Sequence, residues 1–283
     1  MRIQQIILLL TGAALVAVLY VFGITKAPKK PEAAMPGAME AMASSGSSTI
    51  DFQSILDKAM TTLPEKLRDS VAMAALSLEK VRGETEKVKA LQSLGDDWTK
   101  TGNIIVAGRY YADAAAINND IKLWEAAADR FFMGFPTAAD SLVRMYAVQE
   151  AIRCYDQLRK LDSSNMTYPV REAICYVDGQ GQIMQGVTLL KAVEKKDPDN
   201  KDMNLILGRL SVVSGQYDKA VARLEHLVKT DPGNAEAYFH LAEAYRALGR
   251  KEDAIKALET CKSLVKDDDF RAQIDSYINQ IKN

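Results

Sequence analysis

Apolar side chains in the C-terminal part of the chain recur at the spacing of short amphipathic helices. In residues 238–245 they stand at i, i+3, i+4 and i+7, on one helix face. These residues are Tyr238, Leu241, Ala242 and Tyr245. After Gly249, a second face of the same kind consists of Ala254, Leu258 and Cys261. The pattern predicts two short helices that pack against each other.

The same pattern occurs 34 residues earlier. The stretch SGQYDKAV at 214–221 and the stretch LGRKEDAI at 248–255 carry Gly, a polar pair, Asp and Ala in the same order. The alignment extends back to the Asp-Pro pair at 197–198, which superimposes on the pair at 231–232. A period of 34 residues indicates a repeat array of helix pairs.

Small residues and glycines in this repeat have physical roles. Gly215 and Gly249 follow the first helix of their pairs, where glycine readily adopts the left-handed conformation that closes a helix. Small residues let two helix axes approach closely. We assign this role to Gly208, Ala220, Ala242 and Ala254. Asp-Pro ends the second helix of each pair, because proline cannot continue the hydrogen-bond ladder.

These residues resemble the signature of the tetratricopeptide repeat (TPR), which has a large residue, Leu-Gly, Tyr, Ala, a large apolar residue and Pro. In the last unit Tyr238, Leu241, Ala242, Tyr245, Ala254 and Leu258 occupy the signature positions, and Pro232 precedes them. The resemblance implies an all-α fold, a right-handed α-solenoid of helix hairpins. It also implies an inner surface, lined by the first helix of each hairpin, on which family members commonly hold a peptide or a partner helix.

The pattern weakens upstream but continues. We predict five TPR-like units over residues 88–267, with capping helices at 50–87 and a C-terminal capping helix at 268–283. Residues 132–146 break the period and predict an insertion or a lengthened helix.

The N-terminus carries a different signal. Residues 6–24 contain no charge and are long enough to cross a membrane, and no small-x-small cleavage site comes directly after them. We predict a transmembrane anchor at 1–26 rather than a signal peptide. Residues 27–49, mostly Ala, Pro, Gly and Ser, predict a disordered linker.

The orientation of this predicted anchor has two solutions. Lys26, Lys29 and Lys30 after the apolar run favour a cytoplasmic repeat domain, whereas an uncleaved signal anchor would translocate the domain C-terminal to it. We predict a single-pass inner-membrane protein with a periplasmic repeat domain, and the cytoplasmic orientation stays open.

Composition and candidate chemistry indicate binding rather than catalysis. The formal net charge of −1 and the lack of a basic run argue against a nucleic-acid partner. The two histidines, His226 and His240, have no partner at the spacing of a metal site or a catalytic triad, so we assign them structural or surface roles. We therefore predict no enzyme activity and no cofactor or metal.

The resemblance places a candidate groove on the first helices of the last two units. Its predicted residues are Asp202, Leu205, Arg209, Val212, Glu236, Phe239, Glu243 and Arg246. We predict a membrane-tethered scaffold or adaptor that binds a protein or peptide there, similar in layout to bacterial envelope TPR accessory proteins that assist complex assembly. The alternative is a structural subunit that self-associates through residues 132–146 and the N-terminal helices. A simpler interpretation of the eight residues is that they are ordinary exposed helix positions.

Overall fold

Thirteen α-helices and one π-helical turn build the part of the chain that the computed structural model describes, residues 51–283. The helices are α1 Phe52–Thr62, α2 Glu65–Lys80, α3 Glu84–Lys100, α4 Ile104–Asn118, α5 Ile121–Gly134, α6 Ser141–Leu161, α7 Thr167–Ile174, α8 Ile183–Lys196, α9 Lys201–Val213, α10 Tyr217–Thr230, α11 Ala235–Ala247, α12 Lys251–Leu264 and α13 Asp268–Lys282. The π-helical turn Cys175–Gly179 continues α7. The all-α prediction is confirmed for this part of the chain.

The predicted anchor at 1–26 and the predicted linker at 27–49 lie outside the described residues. Among the helices of residues 51–283, none is both long enough and apolar enough to span a bilayer. The anchor stays a prediction.

Successive helices pair along the described chain. α3 contacts α4, α5 contacts α6, α7 contacts α8, and the same holds for α9 with α10 and α11 with α12. The first helices of neighbouring pairs also touch, since α9 contacts both α7 and α11. The unit boundaries at 88 and 267 stay predictions, and the first of these helix pairs begins at Glu84.

The turns within and between the last pairs have the predicted conformations. Gly215 and Gly249 both have φ +74°, the left-handed region that glycine enters without steric cost. The Asp-Pro pairs follow the ends of α8 and α10. The turns DPDN and DPGN then end in Asn200 and Asn234, whose side chains accept hydrogen bonds from the backbone N–H groups of Met203 (3.0 Å) and Ala237 (2.9 Å). The repeated asparagine is therefore the N-cap of the next first helix.

Close helix packing explains the small residue in α9. A Cβ atom added to Gly208 would lie 2.6 Å from Leu224 Cδ2 and 2.7 Å from Leu224 Cγ of α10. The other three predicted small positions, Ala220, Ala242 and Ala254, are fully buried. The predicted packing role is confirmed for Gly208, and the burial of the three alanines agrees with it.

The irregular region after α5 contains a lengthened helix. α6 has 21 residues, against 14 in both α10 and α12, and Asp140 caps its N-terminus by accepting from the backbone N–H groups of Leu142 and Val143. The connection before α6, residues 135–140, is also longer than the connections 214–216 and 248–250 of the last two pairs, so both predicted explanations, an insertion and a lengthened helix, contribute to the break in period.

The two ends of the described chain differ. At the C-terminal end, α13 buries Ile274, Ile278 and Ile281 against the last helix pair. At the N-terminal end, α2 packs on α3 but buries only Val71. Three of its apolar side chains remain largely exposed: Leu67 (41%), Met73 (65%) and Leu76 (58%).

All three cysteines of the chain, Cys154, Cys175 and Cys261, are buried. Burial raises the pKa of the Cys154 and Cys175 thiols to about 12 and also raises the pKa of Cys261. Because the thiolate is the reactive form, we expect the native protein to be inert to a thiol reagent such as DTNB at mildly alkaline pH. Denaturation should release three reactive thiols. Rapid labelling of the folded chain would contradict the placement of at least one cysteine.

Candidate partner-binding groove

The eight predicted groove residues lie on two helices that contact each other. Asp202, Leu205, Arg209 and Val212 belong to α9, and Glu236, Phe239, Glu243 and Arg246 belong to α11. Asp202, Glu236 and Arg246 are exposed, and the other five are partly buried. The apolar members Leu205, Val212 and Phe239 pack on the edge of one apolar core cluster. Whether these residues bind a partner stays a prediction.

Two arginines on the first helices form ion pairs with the preceding helix pair or turn. Arg209 of α9 donates from Nη2 to both carboxylate oxygens of Asp178, at 2.7 and 2.8 Å. One unit earlier, Arg171 of α7 pairs with Asp129 of α5, and its guanidinium lies 5.5 Å from the centre of the Phe132 ring. Ion pairs therefore connect successive first helices.

A histidine and two glutamates form a second cluster on α11. His240 Nδ1 lies 2.8 Å from Glu243 Oε2, and His240 Nε2 lies 3.6 Å from Glu236 Oε1. Burial alone would lower the pKa of His240, but the two carboxylates outweigh it and raise that pKa. The histidine in turn lowers the pKa of Glu236. His240 is therefore held by two carboxylates of its own helix.

Aromatic side chains from the C-terminal helix extend the groove. Phe270 and Tyr277 of α13 have their ring centres 6.0 and 6.3 Å from that of Phe239. The guanidinium carbon of Arg246 lies 5.4 Å from the centre of the Tyr277 ring, within the range of a cation–π contact. We use the name C-terminal groove for the eight predicted residues together with Asp178, His240, Phe270 and Tyr277.

The C-terminal groove has the chemistry of a recognition surface. It joins partly buried aromatic and aliphatic groups to carboxylates and guanidiniums, which can anchor apolar side chains and orient charged ones. Within residues 51–283, no group of three or more His, Cys, Asp or Glu side chains is placed to hold a metal ion.

Sequence reasoning missed four residues of this surface. Phe270 and Tyr277 lie on the same face of α13 as the buried isoleucines. Their spacing in the sequence therefore predicts core positions and does not reveal that their rings contact Phe239. Asp178 lies in a π-helical turn. A π-helical turn contains one residue more than an α-helical turn, so Asp178 is out of register with the 34-residue period. The i+3 spacing of His240 and Glu243 was the available signal for the histidine cluster.

Comparisons with known proteins support the repeat and the fold. Residues 214–273 match the family model of the tetratricopeptide repeat. No curated protein sequence matches the chain significantly. Among solved structures, a crystal structure of MamA protein has a TM-score of 0.50 at 17% identity, covering 62% of this chain and 91% of that one. The RS-1 ArsTM double mutant of MamA also has a TM-score of 0.50 at 17% identity, covering 63% and 94%. YrrB, described as a TPR protein with an unusual peptide-binding site, has a TM-score of 0.48 at 12% identity, covering 69% and 98%.

The fold and the repeat define a class. The described chain is an all-helical, TPR-like solenoid, and residues 214–273 carry the repeat at the level of sequence. The similarity to the MamA structures, at 17% identity, concerns the fold alone.

Proposed function

We propose that this protein is a membrane-tethered scaffold or adaptor that binds a peptide or helical segment of a partner protein in the C-terminal groove. The observation that carries the proposal is the mixed aromatic and charged surface that α9, α11 and α13 share. Phe239 is its central apolar contact, and Arg246 supplies a guanidinium beside it. The proposal includes no catalytic role.

An affinity purification tests this function. The full chain, extracted in mild non-ionic detergent, is used as bait beside a Phe239→Ala/Arg246→Ala variant, and co-purifying proteins are identified by mass spectrometry. We expect a stoichiometric partner with the wild type that the variant loses. A Glu252→Ala/Glu259→Ala variant, altered on exposed positions of α12, is the control. No partner with the wild type, or equal recovery with all three baits, would contradict binding in the groove.

Membrane tethering is a separate part of the proposal and has its own test. It is supported by the uncharged run at 6–24, which precedes the described residues. We expect the protein to remain in membranes after alkaline carbonate washing. Protease added to spheroplasts should digest a periplasmic repeat domain, whereas protection of the domain would establish the cytoplasmic orientation.

Self-association is the second candidate, and exposed apolar side chains favour it. Met133 (65%), Leu142 (43%) and Met145 (46%) lie in the region of broken period, and α2 exposes the three apolar residues described above. Multi-angle light scattering on residues 50–283 distinguishes the candidates. A monomer across micromolar concentrations would exclude the oligomer, and a dimer abolished by Met73→Ser/Leu76→Ser would establish it.

A further inference from the structure

The charges of the C-terminal groove do not balance. It contains four carboxylates, those of Asp178, Asp202, Glu236 and Glu243, against the guanidiniums of Arg209 and Arg246 and the imidazole of His240, whose pKa is raised. The groove is therefore acidic, although the net charge of the whole chain is only −1.

Both guanidiniums already have contacts within the protein. Arg209 holds both oxygens of Asp178, and Arg246 lies against the Tyr277 ring. Arg171, the next arginine along the first helices, is paired with Asp129. A partner that offered carboxylates would have to compete with these contacts.

Two of the four carboxylates, Asp202 and Glu236, are less fully engaged, since Arg171 and Arg209 act on them only from a longer distance. Within residues 51–283, no lysine or arginine lies within 4.0 Å of Asp202 or Glu236. The side chain of Glu236 is 55% exposed, and its partner is His240 at 3.6 Å. Asp202 and Glu236 each stand at the second position of α9 and α11, so that they repeat along the groove.

We infer that the partner segment is cationic: a peptide carrying lysine or arginine side chains that alternate with apolar ones. This inference rests on the proposed binding function and specifies its ligand. Leu205, Val212, Phe239, Phe270 and Tyr277 would receive the apolar side chains. Neighbouring helix axes lie about 9 Å apart. A segment in the polyproline II conformation advances about 3.1 Å per residue with three residues per turn, so side chains three positions apart lie on the same side about 9 Å from each other. Basic residues three positions apart in that conformation therefore match Asp202 and Glu236.

Three fluorescein-labelled model peptides test the inference. The first repeats Lys-Leu-Ser four times, and the other two replace Lys by Glu or by Gln. Binding to the full chain in non-ionic detergent is measured by fluorescence anisotropy, with protein-free detergent as the blank. The protein variants are Asp202→Asn/Glu236→Gln and, as a control with the same change of charge, Glu252→Gln/Glu259→Gln on α12. Circular dichroism establishes that each variant is folded.

We expect the Lys peptide to bind most tightly, and its affinity to fall with added salt because exposed charges are screened. The groove variant, Asp202→Asn/Glu236→Gln, should bind the Lys peptide about 3- to 30-fold more weakly, the range for two exposed or partly desolvated ion pairs. The control variant should bind the Lys peptide with unchanged affinity. Equal or tighter binding of the Glu or Gln peptide would overturn the cationic ligand and leave peptide binding intact. Undiminished binding of the Lys peptide to the groove variant would also overturn it. Failure of all three peptides would count against the groove itself.

Discussion

Gly208→Leu is expected to lower the free energy of unfolding by about 3 kcal/mol, the upper part of the range for overpacking a close helix contact. The contact with Leu224 leaves no room even for a Cβ atom, so the two helices of this pair must separate or Leu224 must leave its rotamer. Urea unfolding of the chain, followed by circular dichroism, measures the effect.

Two further variants make this prediction specific to the repeat register. Ala254→Leu, at a fully buried position in the first turn of α12, should be destabilising in the same way. Glu252→Leu, two residues earlier and exposed, should change the free energy of unfolding by less than about 0.5 kcal/mol. Equal losses in all three variants would show that the assigned core positions are wrong.

Arg159→Met is expected to destabilise the protein in a pH-dependent way. Arg159 Nε donates to Glu172 Oε2 at 3.1 Å, and the Glu172 side chain is only 4% exposed. Burial raises the pKa of Glu172, and Arg159 opposes that rise. Without the guanidinium, a buried carboxylate loses its ion pair. This should cost about 2 kcal/mol near pH 8, less than for a fully buried pair because Arg159 is 40% exposed.

The direction of the pH effect is set by the raised pKa. A carboxyl group whose folded pKa lies above its ordinary value stabilises the fold at low pH, and this stability is lost as the pH rises through the folded pKa. Removing Arg159 moves that pKa further up, so the difference from wild type should grow between about pH 5 and about pH 8.

Two variants serve as controls for this prediction. Measured as the difference between Glu172→Gln and Arg159→Met/Glu172→Gln, the cost of removing Arg159 should no longer depend on pH, because no carboxyl group remains to titrate at position 172. Arg271→Met, which removes an exposed i,i+3 pair with Asp268 on α13, should have little effect at either pH. A loss for Arg159→Met of equal size at both pH values would contradict the role of Glu172 ionisation.

Local rules were sufficient to predict the repeat from the sequence. Gly215 and Gly249 lie where a helix ends with a positive φ, and Gly208 lies where two helices touch. Each of these requirements involves only one or two neighbouring residues, so the glycine alone is enough to predict it. The lengthened α6 was visible as a break in the period.

Only part of the C-terminal groove could be predicted from the sequence, because some of its residues lie outside the repeat. Arg209 and Phe239 occupy repeat positions, but their partners Asp178 and Tyr277 come from a π-helical turn and from a helix outside the repeat. A 34-residue period carries no information on contacts with segments that do not repeat. The charge balance of the groove also depends on which arginines are already paired, and pairing is a property of the folded chain.

The unequal ends give the solenoid a polarity. At its C-terminal end α13 exposes Asp268, Asp269 and Arg271 and buries its isoleucines against the last helix pair, as a solvating cap does. At the opposite end α2 leaves Met73 and Leu76 uncovered. A pair of copies joined at α2 would therefore close on itself with both capped ends pointing away, and the assembly would end at two subunits rather than extend into a filament.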